Sequence, residues 1–277
     1  MIMATPASPK RRFLALELSQ AIARRQLTVA YQPQVNLERG TTVGFEALLR
    51  WQHFQLGYVS PGLFISIAEE SELIHELGDW ILKEAIRQLK QWQTQYQQPF
   101  KMAVNISVRQ LLDPCFIFRL QHLLVEHQLA AHFLELEITE SILIENFQTL
   151  HSTLEALRNL GVQLAIDDFG TGYSSLRYLK LFRWDVLKLD RSFVSNLHLD
   201  QVNAVITKNM INMSQELGFR VVAEGIEHPE ELAQLRQYGC DEVQGYFLCH
   251  PLSAGLLESQ YFFDQGFRLG PLTHFVA

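Results

Sequence analysis

The stretch YQPQVNLERGTTVGFEALL, from Tyr31 to Leu49, contains two apolar strand patterns that are separated only by the short segment ERGTT. Gly40 stands in the middle of that segment. Parallel neighbours in a sheet need a crossover of about a dozen residues or more, and a connection this short permits only an antiparallel hairpin. The sequence therefore predicts that its first two strands run in opposite directions.

The rest of the chain alternates short apolar runs with longer amphipathic stretches, which is typical of βα units and a parallel sheet. Further strands are predicted at KMAVNIS, FLELEIT, QLAIDD, DVLKLD, RVVAEGI and DEVQGYF. Helices are predicted at IHELGDWILKEAIRQLKQWQ and at SILIENFQTLHSTLEALRNLG, which ends at Gly161. With the hairpin, this pattern predicts an α/β fold, a modified TIM (β/α)8 barrel with one antiparallel strand. The alternative is an open doubly wound sheet, which would place its site at a switch point.

Composition excludes several classes of protein. Of the 277 residues, 48% are hydrophobic and 19% are charged, as expected for a packed globular chain. The net charge of −7 argues against a nucleic-acid-binding surface, and no apolar window is long enough for a membrane span. Cys115, Cys240 and Cys249 show no zinc-binding spacing, so a reduced, cytoplasmic setting is expected. Residues 1–12 are interpreted as a linker or a cloning remnant, and residues 13–277 as one domain.

Polar residues occur near the carboxyl end of most predicted strands. Residues of equal parity in a strand share a face, and by this rule these polar residues point into the barrel. The C-terminal face of a barrel is where active sites form. The residues that should meet there are Glu46, Asn105, Glu137, Asp167, Asp168, Lys188, Asp190, Glu224 and Gln244. A single Asp-Asp-Phe-Gly could be a simple turn, but a turn does not explain the repetition on several strands.

The acidic residues of this set predict a metal site. Carboxylates packed so closely cannot all stay ionised without a cation. Oxygen ligands without Cys or His favour hard ions such as Mg²⁺ or Mn²⁺. Bound cations also reverse the local charge and so admit an anionic substrate. Two or more metals with a positioned water are typical of sites that attack a phosphodiester.

Two basic residues accompany the acids. Lys188 lies within an apolar strand, where an unpaired ammonium would be costly. It is interpreted either as a structural ion pair with Asp190 or a neighbouring carboxylate, or as a group that positions or activates a water, and the two roles are compatible. Arg50, at the end of its strand, is either a surface residue or a bidentate clamp for a substrate phosphate. The pattern alone leaves both alternatives open.

Seven blocks of sequence stand out, in this order along the chain: FEALLRWQH, NIS, EITES, DDFGTGYSSL, LKLDRSFV, VVAEGIE and QGYF. Together they resemble the EAL-domain family of cyclic di-GMP phosphodiesterases, named for a Glu-Ala-Leu motif that is here Glu46-Ala47-Leu48. The resemblance extends from about Glu17 to Ser259. It implies a barrel whose first strand is reversed, and hydrolysis of one phosphodiester bond of cyclic di-GMP to give linear pGpG. The alternative is a catalytically silent cyclic di-GMP receptor that signals through a partner.

The resemblance also implies two divalent ions, Mg²⁺ or Mn²⁺, and roles for the motif residues. The implied metal ligands are Glu46, Asn105, Glu137, Asp167, Asp168 and Glu224, with Asp167 as the bridge between the ions. The implied catalytic residues are Lys188, Glu224 and Glu46. Lys188 would hold or deprotonate the attacking water, and Glu224 is the other candidate base. Ca²⁺ is expected to inhibit, because its larger and looser coordination shell positions the water poorly.

Substrate-binding residues follow from the same resemblance. Arg50 would grip the substrate phosphate, and Leu48 would line its pocket. Gln32, Asp190 and Gln244 would lie near the metals, the water or the ligand. The implied partners are cyclic di-GMP, a second copy of the chain in a homodimer, and a regulatory domain or partner outside this chain.

The loop FGTGYSS resembles a family loop that couples metal binding to dimer contacts, and Glu140 is implied as its anchor. A plain flexible turn is the alternative for GTG. Departures from the family pattern are peripheral. Phe54 replaces a usual Pro, Glu72 replaces a frequent Gly, and His250 stands where Lys or Arg is common. His250 is expected to reduce the positive charge near the rim of the ligand site.

Overall fold

A computed structural model of the chain describes residues 8–170 and 176–261. The strands are β1 Leu27–Asn36, β2 Thr41–His53, β3 Gly57–Val59, β4 Lys101–Asn105, β5 Leu134–Thr139, β6 Gln163–Phe169, β7 Val186–Leu189, β8 Arg220–Ala223 and β9 Glu242–Val243. The helices are α1 Pro9–Leu18, α2 Pro61–Glu70, α3 Ile74–Tyr96, α4 Val108–Leu112, α5 Phe116–Glu126, α6 Glu140–Leu160, α7 Leu176–Leu181, α8 Arg191–Val194, α9 Gln201–Glu216, α10 Pro229–Gln237 and α11 Ala254–Tyr261. A short 3-10 turn, Ala131–Phe133, precedes β5.

The strands form one closed barrel. The sheet runs in the order β1-β9-β8-β7-β6-β5-β4-β2, and β1 pairs again with β2. The neighbours from β2 through β4 to β9 are all parallel. Closure is incompatible with the alternative of an open doubly wound sheet, and the predicted modified barrel is confirmed. The short strand β3, which the sequence reading did not predict, extends the sheet antiparallel to the end of β2.

The reversed strand is β1, which is antiparallel to both of its neighbours, β2 and β9. The turn after β1 is short because Gly40 adopts a positive φ of 64°, and its amide donates to the Asn36 carbonyl at 2.9 Å. Only glycine takes this left-handed conformation without steric cost. The hairpin register places Gln32 directly opposite Glu46. This geometry brings a residue of the reversed strand to the same mouth as the acidic residues.

The main apolar core lies between the strands and the surrounding helices. Trp92 of α3 packs its ring 4.5 Å from that of Phe45 on β2 and 5.0 Å from that of Tyr31 on β1. Inside the barrel, by contrast, Ala165, Val186 and Val222 form a small separate apolar cluster. Strand residues alternate between the two faces, so the residues that follow this layer at equal parity also point inward. The barrel interior therefore has polar layers above and below a thin apolar one.

The lower polar layer closes the N-terminal end of the barrel. Arg220 is hydrogen-bonded to both Glu135 and Glu242, and its Nη2 lies 3.4 Å from Gln163 Oε1. Burial opposes the charged guanidinium, but the two carboxylates outweigh it and raise the pKa of Arg220 above its usual value. Buried charges are tolerated when they are paired and hydrogen-bonded in this way. The cluster acts as a polar plug at the end opposite the predicted site.

Both helices predicted from periodicity are present as α3 and α6. Gly161 follows α6 with a φ of 94°, as its interpretation as a helix-terminating residue requires. Helix α1 begins at Pro9, a few residues before the predicted start of the domain at residue 13. Arg11 in its first turns forms a 2.7 Å ion pair with Glu70 and a 2.8 Å hydrogen bond to Ser66. Within the described ranges, no helix is both long and apolar enough to cross a membrane.

Candidate active site

The ammonium group of Lys188 lies at the centre of a ring of carboxylates. Nζ is 2.6 Å from Glu137 Oε1 and 2.8 Å from Glu224 Oε1. Asp167 Oδ1 lies 3.3 Å away and Glu46 Oε2 lies 3.9 Å away. The lysine side chain is only 1% exposed. The ring brings together residues of β2, β5, β6, β7 and the segment after β8, as the parity argument predicts for one barrel mouth.

A chain of amides extends the ring toward the reversed strand. Asn105 Nδ2 donates to Glu46 Oε1 at 2.8 Å, and Gln244 Nε2 donates to Glu46 Oε2 at 2.5 Å. The same Gln244 nitrogen lies 3.0 Å from Gln32 Oε1. Gln32 in turn donates to the carbonyl of Cys249 at 3.0 Å. These contacts fix the orientation of both oxygens of Glu46.

Asp167 and Asp168 turn two consecutive side chains toward one place. In a regular strand, successive side chains point to opposite faces. Here the pairing of β6 with β7 shifts between Ile166 and Phe169, and Asp168 has a φ of 54°. Asp is one of the few residues that tolerates this left-handed conformation. Ligand oxygens of Asp167, Asp168 and Glu224 consequently lie within 4.8 Å of one another.

The donor set fits a divalent cation. Four carboxylates surround one ammonium group, so the ring carries excess negative charge before Asp168 is counted. Glu137 Oε2 is buried and has no hydrogen-bond partner among the described residues. A buried, unsatisfied carboxylate oxygen is costly unless a cation or a donor meets it. Hard ions prefer such oxygen ligands, and the residues that could hold them are those of the acidic ring, Asn105 and Asp168.

Burial and the charges of neighbouring carboxylates raise the pKa values of three acidic residues of the site. Burial, followed by the charge of Asp167, raises the pKa of Asp168 to about 6. Burial also raises the pKa of Glu224 to about 8, although the ammonium of Lys188 acts in the opposite direction. The pKa of Glu137 is raised well above its usual value by burial and by Glu46. Burial favours the neutral amine of Lys188, but the surrounding carboxylates outweigh it and raise its pKa. Strongly perturbed groups around a cleft are typical of a functional site.

Glu140 connects the first turn of α6 to the strand that carries the paired aspartates. Its side chain is buried, and its Oε2 accepts a 2.8 Å hydrogen bond from the amide of Gly170. Gly170 has a φ of 98° and lies directly after β6. This contact ties the first turn of α6 to the end of β6, and the anchoring role of Glu140 stays a prediction. Residues 171–175, which include Gly172 of the predicted loop, lie outside the described residues.

Three predicted substrate-binding residues, Arg50, Leu48 and Asp190, are not among the ion-pair partners of Lys188 in the described part of the chain. Arg50 and Leu48 line a second cavity of about 490 Å³, bounded by α2, α3 and the ends of β2 and β4. Leu48 also lines the cavity over the acidic ring, so the two cavities are neighbours. Asp190 is not among the ion-pair partners of Lys188 in the described residues. Instead its Oδ1 accepts from the Ser192 amide and caps α8.

The cavity over the acidic ring has a volume of about 250 Å³ and contains residues that the sequence reading did not assign. Arg191, Glu227 and Tyr246 line it together with the ring. Arg191 Nη2 is 2.9 Å from Glu227 Oε2. Tyr246 stacks on His250. The first two lie just after the predicted strand ends, so a search extended by three residues past each strand would have found them.

The sequence of the chain matches a known protein family over most of its length. The EAL domain family matches residues 15–251 of the chain. The cyclic di-GMP phosphodiesterase NbdA of Pseudomonas aeruginosa is 43% identical over 242 residues, which are 87% of this chain and 31% of NbdA. The first curated relatives are all much longer, and the chain covers between 31% and 42% of their length.

Solved structures share the fold over most of the chain. A structure described as the PaMucR phosphodiesterase in complex with c-di-GMP superposes with a TM-score of 0.84 at 39% identity, covering 88% of this chain and 99% of that one. The EAL enzyme Bd1971, bound to cAMP and cyclic di-GMP, gives a TM-score of 0.86 at 35% identity, covering 92% of this chain and 70% of that one. Both support the closed barrel fold of this chain.

Proposed function

Because this chain belongs to the EAL domain family, we propose that it is a metal-dependent phosphodiesterase that hydrolyses cyclic di-GMP to linear pGpG. The observation that carries the proposal is the ring of four carboxylates around the buried Lys188, with Asp168 at its edge. Similar proteins supply the substrate class, since NbdA is named a cyclic di-GMP phosphodiesterase. The chain covers only part of such relatives, so a regulatory domain or partner remains part of the proposal.

The acidic residues are proposed to hold two Mg²⁺ or Mn²⁺ ions. Glu46, Asn105, Glu137 and Asp167 form one proposed ligand set, and Asp167, Asp168 and Glu224 form the other. Bound ions supply charge neutralisation for the phosphodiester and lower the pKa of a coordinated water. The close approach of the oxygens of Asp167, Asp168 and Glu224 supports the second set. The unpartnered oxygen of Glu137 supports the first.

Lys188 and Glu224 are assigned different tasks. The surrounding carboxylates keep Lys188 charged, so its ammonium group is suited to orient the attacking water and to stabilise negative charge at the phosphate. Glu224, whose pKa is raised to about 8, is suited to accept the proton of that water. The water oxygen attacks phosphorus, the bond from phosphorus to the 3′ oxygen breaks, and the 3′ hydroxyl leaves with a proton. The product retains a 5′ phosphate.

Substrate positioning is proposed for residues on both sides of the ring. Arg50 and Leu48 line the neighbouring cavity, which supports a role in gripping the phosphate and packing against the nucleotide. Gln32 and Gln244 hold Glu46 through the amide chain, so their effect on substrate is exerted through that residue. Asp190 raises the pKa of Asp168 from nearby, and we retain it as a peripheral residue of the site.

A homodimer is proposed as the working assembly. Helix α9 presents Val202, Val205 and Ile206 to solvent, and Leu199 just before it is also exposed. An exposed apolar stripe of this kind is a common feature of interaction surfaces. Light scattering of the purified chain tests the assembly, and a Val205→Glu variant should shift it toward monomer. An unchanged dimer in that variant would place the interface elsewhere.

Incubation with cyclic di-GMP, followed by chromatography, tests the activity directly. The product pGpG should form with Mg²⁺ or Mn²⁺, and addition of EDTA or of excess Ca²⁺ should suppress it. A Glu46→Gln variant is the negative control because it removes a ring carboxylate and preserves side-chain volume. Absence of product at every Mg²⁺ and Mn²⁺ concentration would reject the proposal. Calorimetric binding of cyclic di-GMP without turnover would favour the alternative of a silent receptor.

A further inference from the structure

Five large apolar side chains are exposed along one edge of the molecule. Phe54 and Leu56 lie in the turn between β2 and β3, Tyr58 lies on β3, and Phe13 and Leu16 lie on α1. Each of them is between 45% and 77% exposed, and Phe54 is the most exposed of the five. Single exposed apolar residues are ordinary on protein surfaces, whereas a group of them marks an interaction site. Phe54 is also a departure from the family resemblance, in which proline is usual.

Contacts around His53 hold α1 and the turn side by side. The ring centroids of Phe13 and His53 are 6.4 Å apart, and Glu17 Oε2 on α1 lies 3.0 Å from His53 Nε2. His53 Nδ1 accepts hydrogen bonds from the amides of Gln55 and Leu56, both at 3.1 Å. One buried imidazole therefore joins α1 to the turn, and the apolar side chains of the two segments belong to one edge.

The segment around α1 is basic in a chain that is acidic as a whole. Residues 8–26 contain five basic residues and one acidic residue, whereas the net charge of the whole chain is −7. Residues 51–68, which include the turn, contain no acidic residue. A charge asymmetry of this kind indicates attraction to an anionic partner.

Part of this positive charge is not neutralised within the protein. Arg11 and Arg24 form ion pairs with Glu70 and Glu17, each at 2.7 Å. The other basic residues of the segment are exposed and have no ion-pair partner in the described part of the chain, and they are Lys10, Arg12 and Arg25. An anionic partner would therefore meet them without breaking an existing ion pair.

We propose that this edge docks on the surface of an anionic lipid bilayer. The docking edge is defined by its three unpaired basic residues and its five exposed apolar residues. Basic groups attract the negatively charged headgroups, and aromatic and leucine side chains enter the headgroup boundary, as in other interfacial protein segments. A second copy of the chain fits less well, because a symmetric contact would bring the same basic residues together. The inference is independent of the proposed reaction, since no residue of the docking edge lines the cavity over the acidic ring.

Sedimentation of the 277-residue chain with lipid vesicles tests the inference. Vesicles of phosphatidylglycerol and phosphatidylcholine in equal parts should bind the chain in low salt and release it in high salt. Vesicles of phosphatidylcholine alone should bind it at least about tenfold more weakly. Absence of binding to the anionic vesicles in low salt would overturn the inference. Equal binding to both kinds of vesicle would also overturn it, because the basic residues would then contribute nothing.

The apolar contribution is tested by Phe54→Ser combined with Leu56→Ser. Both side chains are exposed, so the melting temperature should not change, whereas vesicle binding should weaken about tenfold because less apolar area is buried. Phe118→Ser is the matched control, since Phe118 on α5 is 71% exposed and lies outside the docking edge. The control should bind vesicles as the wild type does. Equal binding by the double variant and the control would reject the proposed edge.

The basic contribution is tested by Arg12→Glu combined with Arg25→Glu. The two charge reversals should weaken binding to the anionic vesicles at least about tenfold and remove most of its salt dependence. Lys83→Glu combined with Arg183→Glu is the control with the same net charge, and both of these residues are exposed outside the docking edge. If the control pair loses as much binding, net charge alone is responsible and the inference is rejected.

Light scattering and the product assay distinguish the remaining outcomes. If a second copy covers the edge instead, the wild type self-associates and stays in the supernatant with anionic vesicles. The double variant in the turn then abolishes the association, and the inference is overturned. Turnover of cyclic di-GMP without lipid should be the same in the wild type and in the variants of the docking edge. A failure of docking therefore leaves turnover intact, and a failure of the proposed function leaves vesicle binding intact.

Discussion

Lys188 Nζ lies 2.6 Å from Glu137 Oε1, and both side chains are almost completely buried. A buried lysine among carboxylates contributes in two ways, because it neutralises charge in the metal-free protein and remains an ammonium donor at the site. Its removal is therefore expected to lower both stability and turnover. The two effects can be separated, since added divalent cations would replace part of the lost positive charge.

Lys188→Met should abolish measurable turnover and lower the metal-free stability by about 3 kcal/mol, because it leaves buried carboxylates without a counter-ion. Urea unfolding with EDTA measures the loss, and the product assay measures activity. Mg²⁺ should recover more stability in the variant than in the wild type. The control is Lys83→Met at an exposed site on α3, which should leave both quantities unchanged. A variant that keeps wild-type turnover would contradict the assigned role.

The pH dependence of metal-free stability follows from the raised pKa values. Asp168 and Glu224 retain protons in the folded state up to about pH 6 and about pH 8, whereas their ordinary values are 3.8 and 4.5. Between those limits the folded state binds more protons than the unfolded state, so stability falls as pH rises. Thermal unfolding in EDTA should therefore show a decreasing melting temperature from about pH 4.5 to 8.

Metal binding should counteract the fall in melting temperature with rising pH. The carboxylates must lose protons to coordinate an ion, so affinity for Mg²⁺ or Mn²⁺ rises over the same pH range. The gain in melting temperature on adding metal should be larger at pH 8 than at pH 5.5. Asp168→Asn combined with Glu224→Gln should flatten the EDTA profile and remove most of the metal-induced gain. A wild-type profile that rises steadily with pH in EDTA is the outcome that contradicts this prediction.

Arg220 gives a test of the polar plug at the far end of the barrel. Arg220→Met leaves Glu135 and Glu242 buried without their cation, and the expected cost is about 3 kcal/mol or more of unfolding free energy. A triple variant that adds Glu135→Gln and Glu242→Gln should recover part of that loss. Because the plug is remote from the acidic ring, kcat of the folded fraction should not change. A selective loss of kcat would show coupling between the two ends of the barrel.

Glu72 departs from the family resemblance, in which glycine is frequent at this position, and its φ is 62°. A non-glycine residue in this left-handed region carries a cost of about 1 kcal/mol. Its side chain is 77% exposed, and its ion pair with Arg109 is 3.5 Å long. Such an exposed ion pair contributes little to stability, so replacing Glu72 should cost little through its loss. Glu72→Gly should raise the melting temperature slightly with unchanged activity. The control Glu70→Gly, at the last position of helix α2, should lower it.

The length of the connection between the first two strands was sufficient to predict that they are antiparallel. The alternation of side chains along each strand was sufficient to predict which acidic residues point into the barrel. The short connection around Gly40 forces the hairpin, and equal parity with buried neighbours places Glu137 and Lys188 inside the barrel. The same parity rule, continued toward the strand starts, also identifies the plug, because Arg220 and Glu242 share a face with Glu224 and Gln244. The sequence therefore carries a signal for the plug as well.

Other features depend on tertiary geometry that no local pattern encodes. The positive φ of Asp168 arises where the pairing of β6 and β7 shifts, and propensities alone give no reason for it. Asp190 was placed beside Lys188 by parity, but a short helix begins there and its amides compete for the carboxylate. The Tyr246 stack needs His250, which lies beyond the last strand. Contacts between segments that are distant in sequence decide these positions.

The close packing of Gly170 leads to the last prediction. A Cβ there would lie 2.5 Å from Phe193 Cε2 and 3.2 Å from Met210 Cε, and the φ of Gly170 is 98°. Gly170→Ala should therefore displace the segment that follows Asp168, weaken the hydrogen bond from the Gly170 amide to Glu140, and reduce metal affinity by about tenfold or more. Gly218→Ala is the matched control, since Gly218 also has a positive φ but no neighbour within 4 Å. Both variants should lose stability through backbone strain, whereas only Gly170→Ala should lose Mn²⁺ affinity in calorimetry, and adding Phe193→Ala should restore part of it. Equal metal affinity in the two alanine variants would show that Gly170 serves only the backbone.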